Sequence, residues 1–317
     1  MQQNTWAIVL AAGEGSRLRS LTTDSAGVAV PKQFCSLQGG SSLLEETLHR
    51  AQNVVAREQV SVIVARQHRL WWKSVLWRLP TSNVVVQPRN CGTANGILLP
   101  VLRILARDPL ARIAFLPADH YVRDERTLAQ SLSTALAELT RRPSELILLG
   151  ISPDVADPEL GYIVPRSLPE GDGALQVERF VEKPDALTAR QLIEAGALWN
   201  SFIFAAHGFA VLSLMRRRYP VLVDRMETAL SRDDEHALFE LYEELPDVDF
   251  SRHVVQDAEE SLRVLRVPSC GWNDLGTPQR VTETLRRMPE VQRARHSSAG
   301  AYLNLSAAAQ VHLQYAG

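Results

Sequence analysis

Cysteine is scarce in this sequence: Cys35, Cys91 and Cys270 are the only three in 317 residues, far apart and without Cys-x-x-Cys spacing. That excludes a disulfide framework or a zinc-thiolate centre as the organising principle and fits reduced thiols in a cytoplasmic protein. Long apolar runs are missing too. No stretch approaches the roughly 20 residues of a membrane span, and Met1-Gln2-Gln3-Asn4-Thr5-Trp6 carries no basic region ahead of an apolar one. No membrane partner is expected. Charge of one sign is not in excess: 34 Lys and Arg against 36 Asp and Glu leave a net charge of -2, which excludes the broad basic surface of a nucleic-acid binder. A few placed cations still suffice for a local phosphate site. There is no fixed-period repeat, no hexapeptide β-helix pattern and no Gly/Ser-rich hinge.

What remains is ordinary globular composition, 45% hydrophobic and 22% charged, enough for one large α/β unit or two coupled lobes. Short runs rich in Val, Ile and Leu at 6–12, 59–65, 83–87, 112–116 and 145–151 predict buried strands. Helical stretches at 41–53, 69–78, 92–107 and 125–142 lie between them, the first opened by a capping-box signature, Ser42 with Glu45. Such alternation predicts right-handed crossovers and a mostly parallel sheet with helices on both faces. Ligands then sit beyond the carboxyl ends of the strands. After residue 153 the pattern changes, with strands at 160–165, 175–182, 199–205 and 262–267. Helices are expected at 186–195, 208–218, 221–231, 235–244 and 278–287.

The first strand runs into Leu10-Ala11-Ala12-Gly13-Glu14-Gly15-Ser16-Arg17-Leu18. Glycines there let backbone N–H groups approach a phosphate, small alanines leave room for a base or ribose, and Arg17 offers a fork of donors. Arg17-Leu18 stands where a P-loop needs Gly-Lys-Ser/Thr, and Leu18 is too large for the third small residue of a dinucleotide fingerprint. On its own the loop also reads as a plain strand-to-helix turn. Lys32 follows the rigid Pro31 on the same post-strand segment, and two cations suit a triphosphate whose pyrophosphate must leave.

Together with Pro31-Lys32-Gln33-Phe34, this loop resembles the signature of sugar-nucleotide pyrophosphorylases, and its Pro-Lys-Gln-Phe form is similar to that of mannose-1-phosphate guanylyltransferases. Further motifs of that family recur in order: Gln87-Pro88-Arg89-Asn90-Cys91-Gly92-Thr93-Ala94, Leu116-Pro117-Ala118-Asp119-His120, Gly161-Tyr162-Ile163, Phe180-Val181-Glu182-Lys183-Pro184, Leu198-Trp199-Asn200-Ser201 and Trp272-Asn273-Asp274-Leu275-Gly276. They run through most of the chain. The resemblance implies a Rossmann-like nucleotidyltransferase fold, and Mg2+-dependent transfer of GMP from GTP to mannose 1-phosphate with release of pyrophosphate. It implies a nucleotide-binding lobe over 1–152 and a sugar-phosphate lobe over 153–288. The tail at 289–317 is docked, self-associating or flexible, and a homo-oligomer is left open.

The implied roles follow the motifs. Arg17 and Lys32 neutralise phosphate charge, and Asp119 and Asp274 hold Mg2+, a hard cation that prefers oxygen ligands. Leu10, Ala11, Ala12, Gly13, Gly15, Ser16, Gln87, Gly92 and Thr93 line the nucleotide, while Gly161, Glu182, Lys183 and Asn200 serve the sugar phosphate. Each has a plainer reading: Asp119 as a cap, Asp274 as an Asx-turn before Gly276, and Glu182-Lys183 as a solvated pair. His120 is expected to be structural, because the attacking phosphate oxygen is already ionised and a base has no proton to remove. Arg216, Arg217 and Arg218 read as a solvated helix end, and Trp71, Trp72 and Trp77 as packing or contact residues. Ala118 stands where many relatives have Ser. Nothing in the sequence resembles an isomerase domain, so a single activity is expected. Alternative readings are the same chemistry on another nucleoside triphosphate or hexose 1-phosphate, or a catalytically silent nucleotide-sugar sensor.

Overall fold

The computed structural model describes residues 4–23, 27–37, 39–166, 173–232 and 235–288; the 289–317 tail lies outside them. In the first half the order is β1 (Thr5–Ala11), α1 (Arg19–Thr22), α2 (Leu43–Gln52), β2 (Val60–Ala65), α3 (Arg69–Val75), β3 (Val84–Gln87), α4 (Gly92–Leu105), β4 (Arg112–Pro117), α5 (Glu125–Glu138) and β5 (Leu146–Ile151). The second half adds β6 (Tyr162–Pro165), β7 (Leu175–Val181), α6 (Ala186–Glu194), β8 (Leu198–His207), α7 (Gly208–Arg218), α8 (Pro220–Ser231), α9 (Glu235–Glu244), β9 (Leu262–Arg266) and α10 (Pro278–Arg287). The expected strands and helices fall in their places, because each carries its own periodicity and punctuation. The capping box at α2 forms, with Ser42 N–H donating to Glu45 Oε2 at 2.7 Å and Glu45 N–H to Ser42 Oγ at 3.3 Å.

One mixed sheet carries nine strands among the described residues, in the order β3-β2-β1-β4-β8-β5-β9-β7-β6. The β3-β2-β1-β4 end is parallel throughout, as strand–helix alternation requires. Beyond it, β8 runs antiparallel between β4 and β5, and β5 and β9 pair in parallel. A strand from the second half thus sits in the middle of the sheet and welds the halves together. Phe115 of β4 stands opposite Phe204 of β8 with rings stacked at 4.2 Å. Alternation along β1 sends Ala7, Val9 and Ala11 to one core layer and Trp6 and Ile8 to the other. The first layer is covered by α2, α5 and α10, the second by α4, α7 and α8. Burying both faces in this way holds the strand ends rigid, and the site hangs from those ends.

Two sequence readings are sharpened by tertiary contacts. Trp71 stacks on Phe34 at 6.1 Å and Trp72 donates to the Ala65 carbonyl at 3.0 Å, so both are packing residues, while Trp77 is exposed. The arginines closing α7 are tethered: Arg216 pairs with Asp224 and Glu227, and Arg218 donates to the carbonyls of Gln256 and Asp257.

Candidate active site

The parallel strands end side by side, and the residues past their carboxyl ends frame a cavity of about 380 Å³. Leu10, Ala12 and Gly13 come from β1 and its loop, Gln87 from the end of β3, and Asp119 from just beyond β4. Gly92 and Thr93 open α4 at the same level. The second half supplies the facing wall: Gly161 before β6, Glu182 and Lys183 after β7, Asn200 in β8, and Asp274 ahead of α10. Arg17 stands in the lining as well. Ala11, Gly15, Ser16 and Lys32 do not line the cavity. Ala11 is buried in β1, Ser16 is exposed, and Gly15 lies against the backbone of Lys32. A larger hollow of about 1210 Å³ between α2 and Trp77 contains none of the motif residues.

Lys32 works from behind the cavity wall. It is buried, at 6% exposure, and its ammonium joins three chain segments. Lys32 Nζ lies 2.9 Å from Asp119 Oδ2 and donates to the carbonyls of Asp274 at 2.7 Å and Leu275 at 3.3 Å. The two aspartate loops are also pinned directly, by Tyr121 and Asn273 exchanging backbone hydrogen bonds of 2.8 and 2.9 Å. Burial tends to raise the Asp119 carboxyl, but the Lys32 ammonium and its hydrogen bond outweigh burial and hold it below the ordinary carboxylate range. Asp274 behaves alike. Burial pushes it up, Arg280 pulls it further down, and both aspartates are therefore anionic at neutral pH.

Arg280 is a residue that sequence reasoning missed. It is only 8% exposed, its guanidinium forks between Asp274 and Asp157, and its Cζ lies 5.5 Å from the Trp199 ring centroid. The only local signal was an arginine in the first turn of a helix shortly after a motif aspartate. Asp274 also makes the Asx-turn of its plainer reading, accepting from Gly276 N–H at 3.0 Å, so turn and cavity roles coexist. Gln33 was likewise passed over inside a recognised motif. Its side-chain amide donates to the carbonyls of Ala11 at 3.0 Å and Gly13 at 2.9 Å and fixes the loop after β1. His120 accepts from Trp272 Nε1 at 3.3 Å, and burial pushes its pKa down to about 4, so it is neutral and structural in setting. Arg17 is paired with Glu159 at 2.9 Å, both side chains being about half exposed, a contact worth at most about 1 kcal/mol.

On the facing wall, backbone geometry marks the site. Lys183, Phe202 and Leu275 hold positive φ of 48°, 57° and 51° without being glycine, and each adjoins or lines the cavity. Such strain persists only where surrounding contacts over-determine it. Asn200 accepts from Phe202 N–H at 3.1 Å and its own N–H donates to the Gly161 carbonyl at 2.8 Å. Gly161 is required here by close approach: an added Cβ would lie 2.5 Å from Glu182 Oε2. That oxygen is buried without a hydrogen-bond partner, and burial first, then the charge of Asp249, pushes the Glu182 carboxyl up to about 7. The segment 246–251, which brings Asp247, Asp249 and Ser251 into the cavity lining, carried no sequence motif. It leads into a π-helical turn at Ser251–Val255, a local form frequent at functional sites.

Glu182 gives a stability prediction with a definite sign. Its pKa is raised from 4.5 to about 7, so folding gains nothing from it at high pH, and stability is lost as pH rises through that window. Glu182→Gln is expected to melt close to the parent at pH 5 and about 3–8 °C higher at pH 8, read by thermal denaturation. A parent–variant difference that does not change between the two pH values would show the carboxyl to be ordinary.

The sheet order and the cavity at its strand ends define a mixed α/β protein whose ligand site lies beyond the carboxyl ends of its parallel strands. The chain belongs to the nucleotidyl transferase family, whose model matches residues 6–290. Xanthan biosynthesis protein XanB of Xanthomonas campestris pv. campestris is 30% identical over 280 residues, covering 85% of this chain and 57% of the relative. The mannose-1-phosphate guanylyltransferase of Escherichia coli K12 is 30% identical over 296 residues, covering 87% of this chain and 59% of the relative. The chain therefore spans little more than half the length of these curated relatives. A crystal structure of a Thermus thermophilus protein described as mannose-1-phosphate geranyltransferase superposes with a TM-score of 0.74 at 29% identity, covering 90% of this chain and 81% of that one.

Proposed function

We propose that the chain is a sugar-1-phosphate nucleotidyltransferase, transferring GMP from GTP to mannose 1-phosphate to give GDP-mannose and pyrophosphate. The observation that carries this reading is Lys32 tying Asp119 and Asp274 together in a cavity with the post-β1 loop on one wall and Glu182 and Asn200 on the other. The nucleotide side belongs to residues 1–152 and the sugar-phosphate side to 153–288. Relatives named mannose-1-phosphate guanylyltransferase support the choice of substrates.

In this reading a sugar-phosphate oxygen attacks the α-phosphorus, a new P–O bond forms, and the bond to the β-phosphate oxygen breaks. The nucleophile is already anionic, so no side chain has to take a proton, in keeping with a neutral, buried His120. What the chain must supply is alignment and charge compensation. Arg17 exchanges Glu159 for phosphate oxygens, and Lys183 takes the sugar phosphate. Asn200 and Glu182 hold sugar hydroxyls, with Gly161 leaving room for the ring. Leu10, Ala12 and Gly13 shape the bed of the nucleotide, with Ala11, Gly15 and Ser16 supporting that loop from outside the cavity, and Gln87, Gly92 and Thr93 take its base and ribose.

Among the described residues no group of three or more His, Cys, Asp or Glu converges as a metal cage. Asp119 and Asp274 nevertheless fit Mg2+, which typically takes one or two carboxylates and completes its shell with water and substrate phosphates. When bound, Mg2+ would add positive charge beside the α-phosphate. Asp119→Asn is expected to lower kcat/KM about 100- to 1000-fold in saturating Mg2+. Full turnover by that variant would refute the ligand assignment. No helix among the described residues is long and apolar enough to cross a membrane, and Cys35, Cys91 and Cys270 are free and buried. The cytoplasm is the proposed location.

The deciding experiment is pyrophosphate release across four nucleoside triphosphates crossed with mannose, glucose and N-acetylglucosamine 1-phosphates. Highest turnover with GTP and mannose 1-phosphate is expected. Another best pair would move the substrates and keep the chemistry; silence across the grid would favour the sensor.

A further inference from the structure

The nucleotide end of the cavity holds a carboxylate that no motif points to. Asp247 lies in the segment 246–251, which is stitched to the start of α4. Ala94 N–H donates to the Val248 carbonyl at 2.9 Å, Phe250 N–H to Thr93 Oγ1 at 2.7 Å, and Asn95 Nδ2 to the Pro246 carbonyl at 3.0 Å. Gly92 makes this docking feasible. Its φ is 85°, and an added Cβ would lie 2.3 Å from Asp247 Oδ1 and 2.4 Å from the Val248 carbonyl. The Asp247 carboxylate lines the cavity and has no hydrogen-bond or ion-pair partner among the described residues.

A second observation marks the same end as a ligand pocket. Gln87 is 1% exposed, and its buried Oε1 has no partner. Gly96, one turn beyond Gly92 on α4, leaves that oxygen uncovered by a side chain, the nearest approach of an added Cβ being 3.7 Å. The first turn of α4 is thus a face of small residues with one buried, unpartnered acceptor, Gln87 Oε1, and one exposed, unpaired carboxylate, Asp247, beside it. A buried acceptor without a partner costs about 1–3 kcal/mol, so a ligand bringing N–H donors regains that energy on binding.

Resting on the nucleotidyltransferase reading above, we infer that Asp247 selects guanine by accepting hydrogen bonds from N1–H and the 2-amino group. Guanine presents those two donors side by side, and a carboxylate presents two acceptors at matching spacing. Uracil and thymine offer one N–H flanked by two carbonyl oxygens, which an anionic carboxylate repels. Adenine offers an unprotonated ring nitrogen there. Xanthine keeps N1–H and replaces the amino group by a carbonyl, so it fits an amide, not a carboxylate.

The test compares GTP, ITP and XTP as substrates of the full chain and of Asp247→Asn. The wild-type chain is expected to favour GTP over ITP and XTP by about 10-fold or more, the worth of one charge-assisted hydrogen bond. In Asp247→Asn, kcat/KM for GTP is expected to fall about 10- to 100-fold while XTP rises to match or exceed it. The KM for mannose 1-phosphate should not move. A merely structural role for Asp247 would depress all three nucleotides together and overturn the inference. So would a wild-type chain that uses GTP and ITP equally well, a result that needs no variant. If UTP, dTTP or ATP is the best nucleotide of the wild-type grid, the guanylyl reading fails and this inference with it. A GTP preference that survives Asp247→Asn with its GTP-to-XTP ratio intact sinks the inference alone.

Discussion

Lys32→Met is expected to lower kcat/KM for the proposed transfer about 1000-fold, the largest activity loss expected of any single replacement in this chain. The reason is that one buried ammonium serves two loops. It offsets the charge of Asp119 at 2.9 Å and donates to the carbonyls of Asp274 and Leu275, so its loss frees both loops and leaves two carbonyls without a donor. Lys32→Arg is expected to rescue little. A guanidinium's donors fan out in a plane, whereas these three acceptors converge on a single ammonium. Steady-state kinetics with pyrophosphate detection reads both variants. Activity within about threefold of the parent in either one would show that the contact is incidental to turnover.

Arg280→Met is expected to cost the most stability, about 3–5 kcal/mol or a fall of about 6–12 °C in melting temperature. The guanidinium is nearly buried between Asp274 and Asp157, whose side chains are 13% and 17% exposed. Removing it strands two carboxylates away from water with no cation to match. The companion variant, Arg280→Met with Asp157→Asn, should recover part of the loss by deleting one stranded charge. Activity should remain low in both, because Asp274 loses the partner that holds its carboxylate in place. Equal melting temperatures for parent and Arg280→Met would mean that the fork is open to solvent and contributes no more than a surface pair.

The two predictions rest on residues of different legibility. Lys32 could be singled out from its sequence alone, because Pro31-Lys32-Gln33-Phe34 sits on the same post-strand segment as the glycine loop. Its burial could not. Its two carbonyl partners are 242 and 243 residues away, and a lysine looks alike in sequence whether it reaches into a cavity or braces the wall behind it. Arg280 had no comparable signal, since its two carboxylate partners lie six and 123 residues away on unrelated loops. The segment 246–251 was illegible for the same reason. Its polar residues read as a loop between helices, and only docking against the start of α4, across 157 residues from Phe250 to Thr93, turns it into a cavity wall.

Determined by the sequence itself were the features that local periodicity and backbone chemistry control. These are the buried strands, the helices between them, the capping box at Ser42, and the loop Leu10-Ala11-Ala12-Gly13 placed just past a strand end. Short-range rules suffice there because each element's pattern repeats within a few residues. Tertiary structure alone decided that β8 enters the sheet antiparallel beside β4, which carries Asn200 across to face the loop after β1. It also decided that Glu182 Oε2 is buried without a partner, that Lys32 ties both aspartate loops together, and that Arg280 holds the Asp274 carboxylate. Those outcomes depend on which distant groups share a low-dielectric space, and the energy of burying a charge is set by its neighbours in space and not by its neighbours in the chain.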